Sequence, residues 1–242
     1  MNAPPPLKET PRMNDTILPS ASSLRIFIGF DPRQPIAYNV LQYSIAGNTS
    51  RPVSITPLLL RTLPIKRTGL TEFTYSRYLV PWLCNYEGFA LFLDADMVVQ
   101  ADIAELFALA TNEHHIWVNR QLPPFEWPSA MLFNNARCTS LTPEFIEHQV
   151  PNKLDTWATS IGSLPVEWNW AVGYSDEGAL NGKPPKLIHY TAGIPIWPET
   201  VKSKFAGVWN SYHAGMNASV EYNALMAQSV HHKKVVSGEI NG

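Results

Sequence analysis

The stretch Phe89-Ala90-Leu91-Phe92-Leu93-Asp94-Ala95-Asp96-Met97-Val98-Val99 decides how this chain folds. Five apolar residues run directly into two acids separated by one alanine. A continuous apolar run of that length is the pattern of a strand buried on both faces of a parallel sheet. The carboxyl ends of such strands are where open α/β sheets hold their ligands. Two carboxylates at i and i+2 on the bend that follows can share one hard cation. Mg²⁺ or Mn²⁺ so held usually completes its shell with substrate phosphates. The motif therefore reads as a metal-diphosphate site at Asp94 and Asp96. The plainer alternative makes Asp94 a turn cap and Asp96 a solvated acid, and the strand in front weighs against it.

Working outward, Leu24-Arg25-Ile26-Phe27-Ile28-Gly29-Phe30 reads as a first strand, ended by Asp31-Pro32. A helix is expected over 36–46, stopped by Gly47-Asn48, and a second strand over 52–60. Residues 74–83 have helical spacing, with Tyr75, Tyr78, Leu79 and Trp82 on one side; Pro81 should kink or stop that helix. Downstream of the acids, Asp102 and Glu105 form a capping-box pattern for a helix through Ala110. Ile116-Trp117-Val118 is a short strand, and Ser129-Ala130-Met131-Leu132-Phe133-Asn134 another. Thr142-Pro143-Glu144 opens a helix with threonine at the cap and proline in the first turn. Lys186-Leu187-Ile188-His189-Tyr190 is a late strand, and 200–230 a helical tail. Strand–helix alternation predicts an α/β sandwich with right-handed crossovers.

The 242 residues suit one large α/β domain or two small ones, and 45% hydrophobic against 16% charged residues supplies an ample core. A formal net charge of -2 gives no electrostatic footprint for nucleic acid and no polybasic membrane patch. No stretch approaches the roughly 20 apolar residues of an integral membrane helix. Cys84 and Cys138 are too few for a disulfide framework and sit beside apolar segments, so buried free thiols and a cytoplasmic location are expected. Residues 1–23, rich in proline and polar residues, read as a disordered leader. A single domain is expected over 24–230, with a frayed tail over 231–242 that includes His231-His232.

His189 ends a strand and precedes the loop signal Thr191-Ala192-Gly193. Imidazole suits a divalent transition metal, so two aspartates plus this histidine favour Mn²⁺ over Mg²⁺. A core histidine satisfied by backbone is the alternative.

The order of the pieces is itself informative. Asp31 closes the first strand, and Tyr75-Ser76-Arg77-Tyr78 follows. Then come the D-x-D stretch, Asp102-Ile103-Ala104-Glu105-Leu106-Phe107 and Ser129-Ala130-Met131-Leu132-Phe133-Asn134. Leu164-Pro165-Val166-Glu167-Trp168-Asn169-Trp170 and His189-Tyr190-Thr191-Ala192-Gly193-Ile194-Pro195-Ile196-Trp197 end the series. Over residues 24–200 this resembles the nucleotide-diphospho-sugar glycosyltransferases of the GT-A fold, and among them the glycosyltransferase family 8-like group. The resemblance implies a Rossmann-like, mixed but mostly parallel sheet flanked by helices. It implies retaining transfer from a nucleotide-sugar, most often a UDP-sugar, to a saccharide, lipid-linked or protein acceptor. It places Mn²⁺ (or Mg²⁺) on Asp94, Asp96 and His189. Phe30 and Asp31 would hold base and ribose. Arg77 would approach the donor, as would Ala95 and Gly193, and Asn134 would lie by its sugar.

The chain departs from the family's pattern in three places. Ile196 stands near the place of a diphosphate-binding lysine, so Lys202, Lys204 or no residue fills that role. The stretch Trp157-Ala158-Thr159-Ser160-Ile161-Gly162 lacks acids, leaving Asp155 and Glu167 as candidate catalytic or sugar-contacting carboxylates beside Asn134. The segment from Asn119 to Trp127 is short. Two rival functions fit some of these residues. A non-catalytic sugar-nucleotide-binding relic would explain the missing acids. A haloacid dehalogenase-type phosphatase also carries an apolar strand followed by D-x-D, but normally on its first strand. Trp127, Trp168, Trp170 and Trp197 are candidate sugar-stacking rings, with core packing as the alternative.

Overall fold

The structure is a computed structural model that describes residues 22–218 and Met226. Most of the expected leader, the end of the helical tail and the pair His231-His232 lie outside the described residues. The chain order begins with β1 (Leu24–Gly29), α1 (Pro35–Gly47) and β2 (Val53–Leu58). A broken helical stretch follows, α2 (Phe73–Ser76), a 3-10 turn (Arg77–Leu79) and α3 (Val80–Leu83). Next come β3 (Phe89–Leu93), β4 (Met97–Val99), α4 (Ile103–Phe107) and β5 (Ile116–Val118). A 3-10 segment (Pro124–Ser129) leads into β6 (Ala130–Asn134), then α5 (Pro143–His148), β7 (Ile161–Ser163), β8 (Trp170–Ala171), β9 (Leu187–His189) and α6 (Ala206–Asn217).

The main sheet runs β2-β1-β3-β6-β5-β7. Its β2-β1, β1-β3 and β5-β7 pairs are parallel, whereas β6 is antiparallel to both β3 and β5. Period-two alternation divides the buried strand residues between two cores. Ile26, Ile28, Leu91 and Leu93 pack toward α1, where Val40, Leu41 and Ile45 are buried. Phe27, Ala90, Phe92, Met131 and Phe133 pack toward Phe73, Tyr78 and Leu79 on the other face. Burying each large side chain contributes roughly 1.5–3 kcal/mol. A second sheet, β4-β9-β8, rests on the α1 side and carries His189.

Several local devices are those the residues dictate. The Asp102 side chain accepts from the Ala104 amide to start α4, and Thr142 accepts from the Phe145 amide to start α5, with Pro143 in the first turn. Glu105 does not complete a capping box; its carboxylate pairs with Lys186 at 2.7 Å. The helix expected over 74–83 tightens into a 3-10 turn just before Pro81, which has no amide hydrogen to continue an α ladder. Gly29 is needed at the end of β1: a Cβ there would lie 2.4 Å from Phe73 Cγ. That close approach brings the stretch carrying Arg77 over the strand ends. Cys84 and Cys138 are buried free thiols, as expected, and burial pushes both thiols up. No helix among the described residues is long and apolar enough to cross a membrane.

Candidate metal and nucleotide site

β3 delivers Asp94, whose amide donates to the Ser129 carbonyl at 2.9 Å. The chain bends at Ala95 and returns as β4. Antiparallel pairing of β4 with β9 sets Met97 opposite His189, and the Tyr190 amide donates to the Asp96 carbonyl at 2.9 Å. Two strands that are distant in sequence thus place one imidazole beside two carboxylates. The metal-ligating atoms of Asp94, Asp96 and His189 all lie within 4.8 Å of one another.

The charges here are buried and crowded. His189 Nε2 lies 3.4 Å from Asp96 Oδ1, and its Nδ1 lies 3.7 Å from Glu126 Oε2. Both Asp96 Oδ1 and His189 Nδ1 are buried without a hydrogen bond among the described residues. Arg77 Nη2 lies 3.1 Å from Asp94 Oδ1. The same guanidinium donates from Nε to the Phe73 carbonyl at 3.0 Å and from Nη1 to the Pro128 carbonyl at 2.7 Å. Burial pushes the Asp94 carboxyl up; Arg77 and His189 oppose this and do not overcome it, while Asp96 and Glu126 add to it. Burial alone would push the His189 imidazolium down, but the surrounding carboxylates, Asp96 foremost, outweigh it and raise the value. Glu126 is pushed up by burial and by Asp96, against His189 and Arg77. A cation would relieve this excess of carboxylates.

The donor set fits such an ion. The ligand atoms of Asp94, Asp96 and His189 are close enough that side-chain rotation could draw all three around one divalent cation. One imidazole nitrogen among oxygens suits Mn²⁺.

The other expected site residues divide. Phe30 and Asp31 follow β1 at the same end of the sheet, because Ile28 pairs with Leu93. Asp31 is held by Arg33 Nε at 2.9 and 3.1 Å, which lowers its carboxyl. Gly193, in the loop after His189, has φ +114, a conformation glycine permits. Ala95 is buried in the bend between the two acids.

Asn134 is misplaced by the expectation. β6 runs antiparallel to β3, so Asn134 pairs with Phe89 and lies at the opposite end of the strand, roughly 16 Å from Asp94 along it. Glu167 is at the wrong end of the small sheet. Its carbonyl accepts from the Lys186 amide at 2.8 Å, roughly 10 Å along β9 from His189. Its surroundings there are a cavity of about 540 Å³ shared with Gln100 and Lys186. Asp155 lines a separate 530 Å³ depression with Arg120, Trp127 and Lys153. Trp168 and Trp170 are core, whereas Trp197 is 46% exposed. Asn169 is buried, donating to Ser129 Oγ at 2.8 Å, and so braces the site from inside. Glu126 carries no signal in the sequence, because nothing in its spacing ties it to His189.

No family model matches the chain. Protein CDI of Arabidopsis thaliana is 32% identical over 235 residues, covering 82% of this chain and 87% of that protein. The chain belongs to the Protein CDI family. Among solved structures, the glycosyltransferase GlyE of Streptococcus pneumoniae TIGR4 matches 88% of this chain at a TM-score of 0.58 and 17% identity. The WbbM bifunctional glycosyltransferase matches 86% at 0.60 and 16%. The galactosyltransferase LgtC, solved with donor and acceptor sugar analogues, matches 83% at 0.55 and 11%. The fold of this Protein CDI relative is therefore that of GT-A glycosyltransferases. The chain spans 64% of GlyE and 51% of WbbM, but LgtC is covered to 99%.

Proposed function

We propose that the chain is a metal-dependent glycosyltransferase that moves a sugar, with retention, from a nucleotide-diphospho-sugar, a UDP-sugar in the first instance, to an acceptor hydroxyl. One observation carries the reading: Asp94, Asp96 and His189 converge at the carboxyl end of β3 in a glycosyltransferase fold. Mn²⁺ held there would neutralise the departing diphosphate as Lewis acid and template.

The chain's own residues do the rest. Arg77 fixes the Asp94 carboxylate and ties it to the Pro124–Ser129 segment. The β4-β9 pairing fixes Asp96 against His189. Residues Phe30 and Asp31 stand at the same sheet end, within the stretch that would receive base and ribose. A preorganised group of buried charges is worth more than the same charges in water, because it need not reorganise as the transition state forms. The loop after His189 carries Trp197, which would cover the donor and exclude water.

The test is UDP release and sugar transfer across a panel of UDP-sugars with Mn²⁺, with thermal shift run in parallel. Ligand at a hundredfold excess over Kd should stabilise the protein by about 2.7 kcal/mol. The product's anomeric configuration, read by NMR, tests retention. Absence of both nucleotide-dependent stabilisation and UDP release would sink the proposal. Asn134 and Glu167 stand away from the cluster, which favours the binding-only relic as second reading. That reading predicts stabilisation by UDP and Mn²⁺ without turnover. A haloacid dehalogenase-type phosphatase is disfavoured by the fold and by the Arg77 tie that occupies Asp94.

A further inference from the structure

We propose that Glu126 is the positioning residue of the metal centre, accepting the Nδ1–H of His189 so that Nε2 presents its lone pair to the ion beside Asp94 and Asp96. The proposal rests on the metal reading above and adds to it a residue outside the ligand group. His189 is buried, and its two ring nitrogens face different acids: Nε2 stands 3.4 Å from Asp96 Oδ1, and Nδ1 stands 3.7 Å from Glu126 Oε2. A neutral imidazole has one N–H and one lone pair, and the partner of the N–H decides which nitrogen can bind metal. Metal-bound histidines almost always donate their second nitrogen to a carboxylate, carbonyl or water. Here Nδ1 is buried and has no hydrogen bond among the described residues, and Glu126 is the carboxylate that faces it. A shift of roughly half an ångström brings 3.7 Å into hydrogen-bond range.

The backbone holds Glu126 in place for this. Its amide donates to the Pro123 carbonyl at 2.9 Å, and its carbonyl accepts from Ser129 Oγ at 2.6 Å. Pro128 is pinned by Arg77, and the Ser129 carbonyl by the Asp94 amide. The side chains on either side turn elsewhere. Phe125 is 67% exposed, and Trp127 donates from Nε1 to the Leu122 carbonyl at 2.9 Å. The Glu126 side chain, at 11% exposure, is aimed inward at the histidine. The ligand atoms that cluster within 4.8 Å are those of Asp94, Asp96 and His189; Glu126 stands behind the ring and not among them.

The experiment compares wild type, Glu126→Gln and Glu126→Ala in the full chain, after thermal melting has confirmed that each folds. Mn²⁺ affinity is measured by electron paramagnetic resonance. Separately, ¹⁵N NMR of the histidine side chains reads the His189 tautomer in metal-free protein at a pH where imidazole is neutral. Wild type and Glu126→Gln should show the Nδ1–H tautomer, because the glutamine oxygen still accepts. Glu126→Ala should lose it and bind Mn²⁺ 10- to 100-fold more weakly. An alanine variant that keeps both the tautomer and the affinity would overturn the proposal. So would a glutamine variant as damaged as alanine, since that is the behaviour of a direct ligand. If wild type binds no Mn²⁺, the metal reading fails, and the tautomer alone then judges whether Glu126 orients His189.

Discussion

At the amino end of β3, polar side chains serve the backbone. Arg25 donates to the Phe89 carbonyl at 3.2 Å and to that of Glu87; Asn135 Nδ2 donates to the Glu87 carbonyl at 2.9 Å. At the carboxyl end, five ionisable groups crowd one another. Asp94, Asp96, Glu126, Arg77 and His189 are largely buried, with three acids against one arginine and one histidine. The first arrangement closes a fold, since each buried donor finds an acceptor. The second leaves buried carboxylates in excess, which is unfavourable for the chain alone and becomes favourable with a cation. Buried charge without full compensation is the observation that makes the carboxyl end of β3, and not the amino end, the candidate site.

The sharpest way to break this contrast is to remove one acid. Asp96→Asn should abolish Mn²⁺-dependent UDP binding, measured by calorimetry, while leaving the metal-free chain no less stable, because it removes one of the buried carboxylates in excess. If the variant still binds UDP with Mn²⁺ at wild-type affinity, the carboxyl end is not a metal site. Removing the cation's internal substitute should act oppositely. Arg77→Ala leaves Asp94 buried without its partner and orphans two carbonyls, so urea denaturation should show a loss of about 3–5 kcal/mol. Arg77→Lys keeps the charge but loses the planar fork, and should fall between.

Changes at the other end should reverse the pattern. Asn135→Ala removes a buried donor to Glu87 and should cost about 1–3 kcal/mol, with Mn²⁺ affinity unchanged. A drop in affinity there would mean that the two ends are coupled through β3. A cap distant from both sets the scale. Burial pulls the Asp102 carboxyl up, but hydrogen bonds from Ser50 and Ala104 win and lower it. Its contribution is therefore present above the ordinary carboxylate pKa, near ~4, and lost as pH falls through the lower folded value. Asp102→Ala should cost about 1 kcal/mol at neutral pH and progressively less as the pH falls through the lowered folded value, read by calorimetry.

What could be read in advance follows the range of the interaction. β3, α1 and the caps at Asp102 and Thr142 depend on neighbours a few residues away, so local pattern reveals them. Asp94 and Asp96 share that advantage. His189 is visible locally as a strand-end imidazole before a loop signal, but only the upstream D-x-D and the family's order tie it to the two acids. Strand direction is a long-range property: an apolar run looks the same parallel or antiparallel, and so Asn134 was assigned to the wrong end. β7 (Ile161–Ser163) and β8 (Trp170–Ala171) lack an apolar run of their own and form because partner strands recruit them. Glu126 needs the Arg77–Pro128 and Asp94–Ser129 contacts to face His189, and no window of sequence contains both sides of those contacts.

In the loop after His189, Trp197 distinguishes a lid from a core residue. The ring is 46% exposed and rests near Gly193, where a Cβ would lie 3.5 Å from Trp197 Cδ1. The loop does not depend on the ring for its shape. The Val201 amide donates to the Trp197 carbonyl at 2.8 Å, and Thr200 Oγ1 donates to the Ile194 carbonyl at 2.6 Å. Trp197→Ala should therefore lower the melting temperature only slightly, by less than about 1 kcal/mol of stability. If the ring covers the donor, its removal admits water, and UDP-sugar hydrolysis should rise relative to transfer. Measuring UDP release with and without acceptor gives that ratio directly. An unchanged ratio with a large loss of stability would place Trp197 in the core and leave the donor covered by some other part of the chain.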